Sequence, residues 1–419
     1  MREMKDSGIE WIGEIPKDWE ITKIGMLYNL RITKVSDTDY APLSVTKMGV
    51  LPQLETVAKT NAHDDRKLVK KGDFVINSRS DRRGSCGISN YYGSVSLINI
   101  VLEPKNNMSS GYYSCLFKTV QFADEFYKNG HGIVDDLWTT GWQDMKRIIL
   151  PVPHYSEQQQ IANYLDTKCS EIDATAEDIQ KEITLLEEYK KSVITEAVTK
   201  GLNPDAEMKE SGIEWIGKIP INWQAVNPRW LFAQRKDKAK KGMEQYTASQ
   251  KYGVISQKDY MNRIGGSIVT VQKDFDILKM VCKGDFVIHM RSFQGGLEYS
   301  EHTGSISSAY VMLIPQKNIG ECRYFKWLFK SASYINALQS TSNLIRDGQA
   351  MRYSNFIQII IPYPPLEEQQ QIADYLDSKC SEIDSLIADK KRQLDILADY
   401  KKSLIYEYVT GKKEVPVNE

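Results

Sequence analysis

Cysteine and histidine are scarce in this sequence. Six cysteines and five histidines are spread over 419 residues, and no two cysteines form a C-x-x-C pair. That spacing argues against a zinc site or a disulfide framework. Cys86, Cys115, Cys169, Cys282, Cys322 and Cys380 are therefore read as reduced and structural. No apolar run approaches the roughly 20 residues of a transmembrane helix, and no apolar stretch of a signal peptide follows the first residues. The expectation is a cytoplasmic protein with no membrane partner. Reaction motifs are missing as well. There is no Walker A loop, no G-x-S-x-G and no H-E-x-x-H. An adenine methyltransferase needs an Asn/Asp-Pro-Pro-aromatic motif for the flipped base and a glycine-rich turn for its cofactor. Asn227-Pro228-Arg229-Trp230 misses the second proline, and no such turn accompanies it. Asp135-Asp136 could suggest a metal pair, but the matching stretch later in the chain is Arg346-Asp347, which favours a solvated loop. These absences predict a chain with no metal, no cofactor and no catalysis of its own. An excess of one charge is also lacking: the net charge is −1.

What is present is a duplication. Met4 to Pro16 recurs as Met208 to Pro220, and Trp19 then matches Trp223. Lys47-x-Gly49-Val50 recurs as Lys251-x-Gly253-Val254. Lys71-Gly72-Asp73-Phe74-Val75-Ile76 recurs as Lys283-Gly284-Asp285-Phe286-Val287-Ile288, each followed by an Arg-Ser pair. Glu157 to Asp173 matches Glu368 to Asp384 at 15 of 17 positions, which chance does not produce. The order is lobe, helix, lobe, helix, with boundaries expected at 1–153, 154–203, 204–364 and 365–419. Lobe 2 carries eight extra residues between Gln257 and Lys283, so the lobes share a scaffold and differ in their loops.

The lobes read as mixed α/β. Phe74–Ile76, Val95–Leu102, Phe286–Ile288 and Ala309–Ile314 are rich in strand formers and bounded by turn residues. Each lobe ends in a short apolar run with prolines, after which a helix is expected. From Glu157 to Lys200 there is neither Gly nor Pro. Ile172, Ala176, Ile179, Ile183, Leu186, Val193 and Ala197 form a seam at three- and four-residue spacing. Glu368 to Thr410 repeats it with Ile383, Ile387, Leu394, Leu397, Leu404 and Tyr408. Lys190 and Lys401 interrupt the seams at matching places, either fixing register or snorkelling to the edge. Chain order then predicts an antiparallel two-helix coiled coil, each helix about 66 Å long, joining the two lobes with pseudo-two-fold symmetry.

The near-neutral total hides a segregation. Residues 1–150 carry a net charge of +1, 151–203 of −5, 204–364 of +7 and 365–419 of −4. A phosphate backbone would be repelled by the helices and accepted by the lobes, lobe 2 above all.

The duplicated Ser-Gly-x-Glu-Trp-Ile-Gly-x-Ile-Pro leader at Ser7 and Ser211 resembles the DNA-specificity subunits of type I restriction–modification systems. So do the Lys-Gly-Asp-Phe-Val-Ile strand and the Pro-x-x-Glu-Gln-Gln-x-Ile-Ala-x-Tyr-Leu-Asp helix start, and the resemblance covers essentially the whole chain. It implies two target-recognition domains, each reading one half of an interrupted, asymmetric double-stranded DNA site. It implies helices that act as spacers and dock methyltransferase subunits. Restriction subunits join through the assembled complex, and S-adenosylmethionine and ATP belong to those partners. Two other readings stay open. One is a coiled-coil adaptor presenting two protein-binding lobes, separable by a salt-dependent gel shift with random DNA. The other is a fused methyltransferase, which would bind the cofactor alone.

Candidate DNA contacts follow from residue type and place. Arg79, Arg82 and Arg83 come after a strand and before Gly84; Arg291, Ser292 and Gln294 come after the matching strand and before Gly295-Gly296. Arginine suits phosphates and guanine edges, and glutamine suits adenine. Surface ion pairs or strand-end caps are the plainer alternative. Lys47 and Lys251 precede a turn glycine in both lobes. Lys238, Lys240 and Lys241 belong to the run Arg235-Lys236-Asp237-Lys238-Ala239-Lys240-Lys241, which is either a phosphate-binding strip or a solvated face.

Overall fold

The computed structural model describes residues 2–53, 64–79, 82–105, 108–133, 138–265, 277–341 and 351–416. It divides into two compact units, one of Met1–Ile179 with Arg392–Glu419, the other of Gln180–Lys391. Each unit holds one lobe and one end of each long helix.

Both lobes are built on the same antiparallel four-stranded sheet. In the first unit the order is Cys86–Ile88, Phe74–Asn77, Asn99–Pro104, Tyr28–Leu30. In the second it is Glu298–Tyr299, Phe286–Ile288, Val311–Pro315, Phe232–Gln234. The Lys-Gly-Asp-Phe-Val-Ile repeat supplies an inner strand in both, which is why its apolar residues are contiguous: Phe74, Val75, Phe286 and Val287 are fully buried. The expected strand Val95–Leu102 is two strands, Gly93–Ser96 and Asn99–Pro104, in different sheets. A turn intervenes because Asn99 Nδ2 donates to Ser96 O at 3.1 Å and Lys67 Nζ ties Leu97 O to Asn99 O. Propensity alone could not show that break. After each sheet come two short helices, Ser110–Phe117 and Val120–Lys128, then Cys322–Leu328 and Ala332–Ser340. Ser109, Thr119, Glu321 and Ser331 cap them with side-chain oxygens.

The duplicated leader is a turn locked by its own residues. Ser7 Oγ accepts from Ile9 N at 3.1 Å and donates to Gly13 O. Ser211 does the same with Ile213 and Gly217. Gly8, Gly13, Gly212 and Gly217 stand at φ between 68° and 74°, where a side chain is strained. The turn delivers Ile15, Trp19, Ile219 and Trp223 into the cores of their units, all essentially buried.

The long helices span Tyr155–Lys200 and Leu366–Val409. Within each unit they run antiparallel. In the first, Lys401 pairs with Asp173 and Tyr408 Oη bonds Tyr164 Oη. In the second, Lys190 pairs with Asp384 and Lys390 with Glu182. Every seam residue named above is buried or half-buried. Lys190 and Lys401 snorkel: each reaches the seam's edge and there binds an aspartate of the other helix, at 2.6 Å. No helix among the described residues is long and apolar enough to cross a membrane.

Candidate nucleic-acid interface

Two duplicated anchors prepare the loops. Asp73 accepts Arg31 Nε and Nη2 at 2.7 and 2.9 Å, and Lys70 N at 2.8 Å. Asp285 accepts Arg235 at 2.7 and 2.8 Å, and Cys282 N at 2.8 Å. Both carboxylates are almost fully buried, and the pairing holds each guanidinium above its usual pKa. Arg235 is therefore structural, unlike the lysines that follow it. The second anchor explains the Glu-Gln of the helix start. Glu157 accepts Trp19 Nε1 at 2.9 Å and Glu368 accepts Trp223 Nε1 at 2.6 Å. Buried Gln158 bridges Ser109 N and Pro153 O; Gln369 bridges Glu321 N and Pro364 O.

On this scaffold the candidate side chains separate into groups. Arg79 is exposed, its backbone fixed by Asn77 Oδ1 at 3.0 Å and by a bridge to Thr139. Arg82 is exposed at the next turn. Arg83 is already engaged: it pairs with Asp124 and lies 4.9 Å over the Tyr127 ring. Exposed Lys47 stands at the tip of the hairpin Leu43–Thr46/Gly49–Pro52. That hairpin lies against Gly87, where a Cβ would come within 2.9 Å of Gly49 Cα. The Lys47 tip and the strand after the Arg79–Gly84 loop are thus in direct contact.

Lobe 2 joins its loops by a hydrogen bond. Gln250, in the Lys251 hairpin, donates from Nε2 to Arg291 O at 2.9 Å. Arg291 and Gln294 are exposed. Ser292 is not: it is fully buried, and its Oγ accepts His289 N at 2.9 Å, so it shapes the turn and does not face outward. Gly296 has φ of 76°, and a Cβ there would sit 1.9 Å from Phe329 O, so only glycine passes. Lys238, Lys240 and Lys241 are exposed along a small sheet, with Lys238 bridged to Lys279. Burial first, and Lys238 second, push the Lys279 amine below its usual pKa. Asp135, Asp136, Arg346 and Asp347 lie outside the described residues.

Sequence reasoning missed Arg263 and Tyr252. Lys251 Nζ and the Arg263 guanidinium lie 5.1 and 5.0 Å from the Tyr252 ring. Arg263 comes from Gln257–Ile264, a helix with no buried residue that opens lobe 2's longer segment. The offset change marked that segment, but a lone arginine within it gave no signal. Among the described residues, no group of three or more His, Cys, Asp or Glu side chains is placed to hold a metal ion.

Similarities to known proteins run along the same lines. The family model for the type I restriction modification DNA specificity domain matches twice, over residues 16–185 and 220–395. The type I restriction enzyme MjaVIII specificity subunit of Methanocaldococcus jannaschii is 25% identical, over 96% of this chain and 94% of that protein. A chain from a structural study of assembly and conformational transition in a type I R-M system superposes with a TM-score of 0.69 at 12% identity. The match covers 95% of this chain and 99% of that one. The HsdS subunit from Thermoanaerobacter tengcongensis gives 0.51 at 14% identity, over 95% and 98%.

Proposed function

We propose, from the premise that the chain belongs to the type I restriction modification DNA specificity family, that its two lobes read the two halves of one bipartite, asymmetric DNA site. The lobes are residues 1–153 and 204–364. The observation that carries this reading is a common scaffold with unlike exposed loops. Both lobes anchor an inner strand through the same Arg–Asp pair and then present an exposed arginine directly after it, Arg79 or Arg291. Around those arginines the lobes diverge. Both keep the hairpin lysine, Lys47 or Lys251, but lobe 1 offers Arg82 and Arg83, and lobe 2 offers Gln294, Lys238, Lys240 and Lys241, with Ser292 holding the turn. Cationic side chains bind phosphates and guanine edges, and glutamine reads adenine. Unlike loops on a shared frame therefore favour unlike half-sites.

The long helices Tyr155–Lys200 and Leu366–Val409, within the regions 154–203 and 365–419, set the spacing of the half-sites and dock methyltransferase subunits. Restriction subunits join through that complex. The chain recognises and its partners react, so it carries no catalysis and needs no cofactor. The test is reconstitution. The purified chain alone, with S-adenosylmethionine or ATP, is expected to neither methylate nor cleave DNA, and methylation is expected once a cognate methyltransferase subunit is added. Turnover by the pure chain would overturn the assignment. Random DNA that fails to shift at low salt would favour a protein adaptor instead.

A further inference from the structure

The hairpins beside the two exposed arginines differ in register. Lobe 1 pairs Thr46 with Gly49 and leaves Lys47 and Met48 as its tip. Lobe 2 pairs Ser249 with Gly253 and leaves Gln250, Lys251 and Tyr252. The extra tip residue is Gln250. Besides its hydrogen bond to Arg291 O, its side chain lies on Gly295, where a Cβ would come within 2.7 Å of it. The tip of lobe 2 is thus fastened to the Arg291 turn at two places.

Tyr252 takes the place that Met48 holds in lobe 1, where the thioether side chain is 80% exposed. The phenol ring gathers charge around it. Lys251 Nζ lies 5.1 Å from its centre and the Arg263 guanidinium 5.0 Å. The Tyr260 ring meets it edge-on at 6.2 Å. Tyr260 and Arg263 stand three residues apart in the helix Gln257–Ile264, so one face of that helix turns toward Tyr252. The helix buries no residue in the lobe. Its one acid is engaged: Ser256 Oγ accepts from Asp259 N at 3.1 Å and bonds the Asp259 carboxylate at 2.9 Å. Among the described residues neither Lys251 nor Arg263 has a carboxylate partner, and both are exposed. The contrast is Arg83 in lobe 1, which lies over the Tyr127 ring with Asp124 beside it. In lobe 2 the negative face of one ring offsets part of the repulsion between two cations. An anion lodged between them removes the rest.

We infer that Lys251 and Arg263 share one backbone phosphate of the DNA, and that Tyr252 is the positioning residue that holds both cations for it. The inference rests on the reading of lobe 2 as a DNA reader and adds a second kind of contact to that surface. Base contacts specify; phosphate contacts set the register of a protein on the duplex. Gln250 ties this phosphate site to the backbone of Arg291, so the register it sets is that of the arginine. Met48 offers no ring face to Lys47, so the device belongs to lobe 2.

The test uses the full chain reassembled with methyltransferase subunits, binding a random-sequence duplex across a salt series. The slope of log affinity against log salt counts the phosphates neutralised. The double variant Lys251→Gln/Arg263→Gln is expected to lower that slope by about one, the share of a single phosphate; a fall of about two means separate phosphates and overturns the shared site. Tyr252→Leu is expected to bind about two- to fivefold more weakly at low salt, and Tyr252→Phe, which keeps the ring, to bind as the wild type does. Equal losses in the two variants overturn the positioning role. Selection from random DNA is expected to return unchanged half-sites from the double variant; an altered half-site means a base contact and overturns the assignment to phosphate. A double variant that no longer assembles with the methyltransferase subunits puts the cluster on a protein face and overturns it as well. A slope that falls when Lys238, Lys240 and Lys241 are changed together, but not in the double variant, overturns the phosphate site alone. A wild-type complex without a salt slope overturns the DNA reading beneath it.

Discussion

Asp73 and Asp285 each bind one arginine through two oxygens and cap a backbone N–H three residues earlier. Removing either carboxylate takes away the arginine's two-oxygen partner and leaves it only Glu103 or Asp237 at the surface. Asp73→Ala or Asp285→Ala is expected to cost about 1–3 kcal/mol, measured by urea unfolding of the affected unit. The arginine side of these pairs adds no pH dependence near neutrality. A raised folded pKa stabilises at every pH below the unfolded value, and arginine's lies far above neutral. Cys86 behaves differently: burial pushes its thiol up to about 12, so a maleimide at neutral pH is expected to leave it unmodified until the fold opens. At the proposed DNA surface, Arg291→Ala is expected to weaken binding by the assembled methylase by about 1–3 kcal/mol if the residue reads a base. Changing Lys238, Lys240 and Lys241 together should lower the salt slope and leave sequence preference intact; equilibrium binding across a salt series checks both. The sequence placed Arg79, Arg82, Arg83, Arg291, Ser292 and Gln294 by their position after a repeated strand, and the three lysines by their charge run. It could not show that Arg83 is bound to Asp124 or that Ser292 is buried, because those facts depend on short helices and turns remote in the chain. Arg235 was hidden for the same reason: its partner lies 50 residues away, while its neighbours make it look like part of a solvated run.

The long helices were the most legible elements, because a gap in glycine and proline and a repeating seam are both local signals. Their lysines were ambiguous, since a seam position does not reveal where the amine goes. The amines go to exposed aspartates: Asp173 and Asp384 are more than half exposed. Such pairs are screened by water and contribute at most about 1 kcal/mol. Lys190→Ala is therefore expected to shift unfolding little, whereas Leu404→Ala, at a position only 4% exposed, should cost about 2–5 kcal/mol. Thermal unfolding of the two variants compares them directly. A large loss in Lys190→Ala would mean that the ion pair, and not the apolar seam, holds the helices in register. The short helices after each sheet were not legible in the sequence. Their caps, such as Ser109 and Ser331, are common residues, and only packing against the sheet selects them.

At the scale of the molecule, each long helix is a continuous link between the units. If that link sets the half-site spacing, inserting one heptad into both helices at facing positions keeps the seams matched. It adds about 10 Å, or roughly three base pairs of duplex. Selection from random DNA by the reassembled methylase is expected to return the same half-sites with a longer gap. Recovery of the original gap at full affinity would mean that the partners position the lobes. The division of the chain has a second consequence. The first unit is completed by Arg392 onward: Tyr112 Oη donates to Val409 O at 2.8 Å, and Lys412 Nζ to Ile12 O at 2.6 Å. The second unit, Gln180–Lys391, lies wholly before that stretch. On the ribosome, the lobe that emerges first is the one that must wait. It stands with Tyr112 and the apolar face of its helix uncovered until the last stretch of chain has been made, while the lobe that emerges later can close at once. A released chain ending at Lys391 should therefore resist protease from Gln180 onward and be cut before it, the reverse of the order in which its residues were joined.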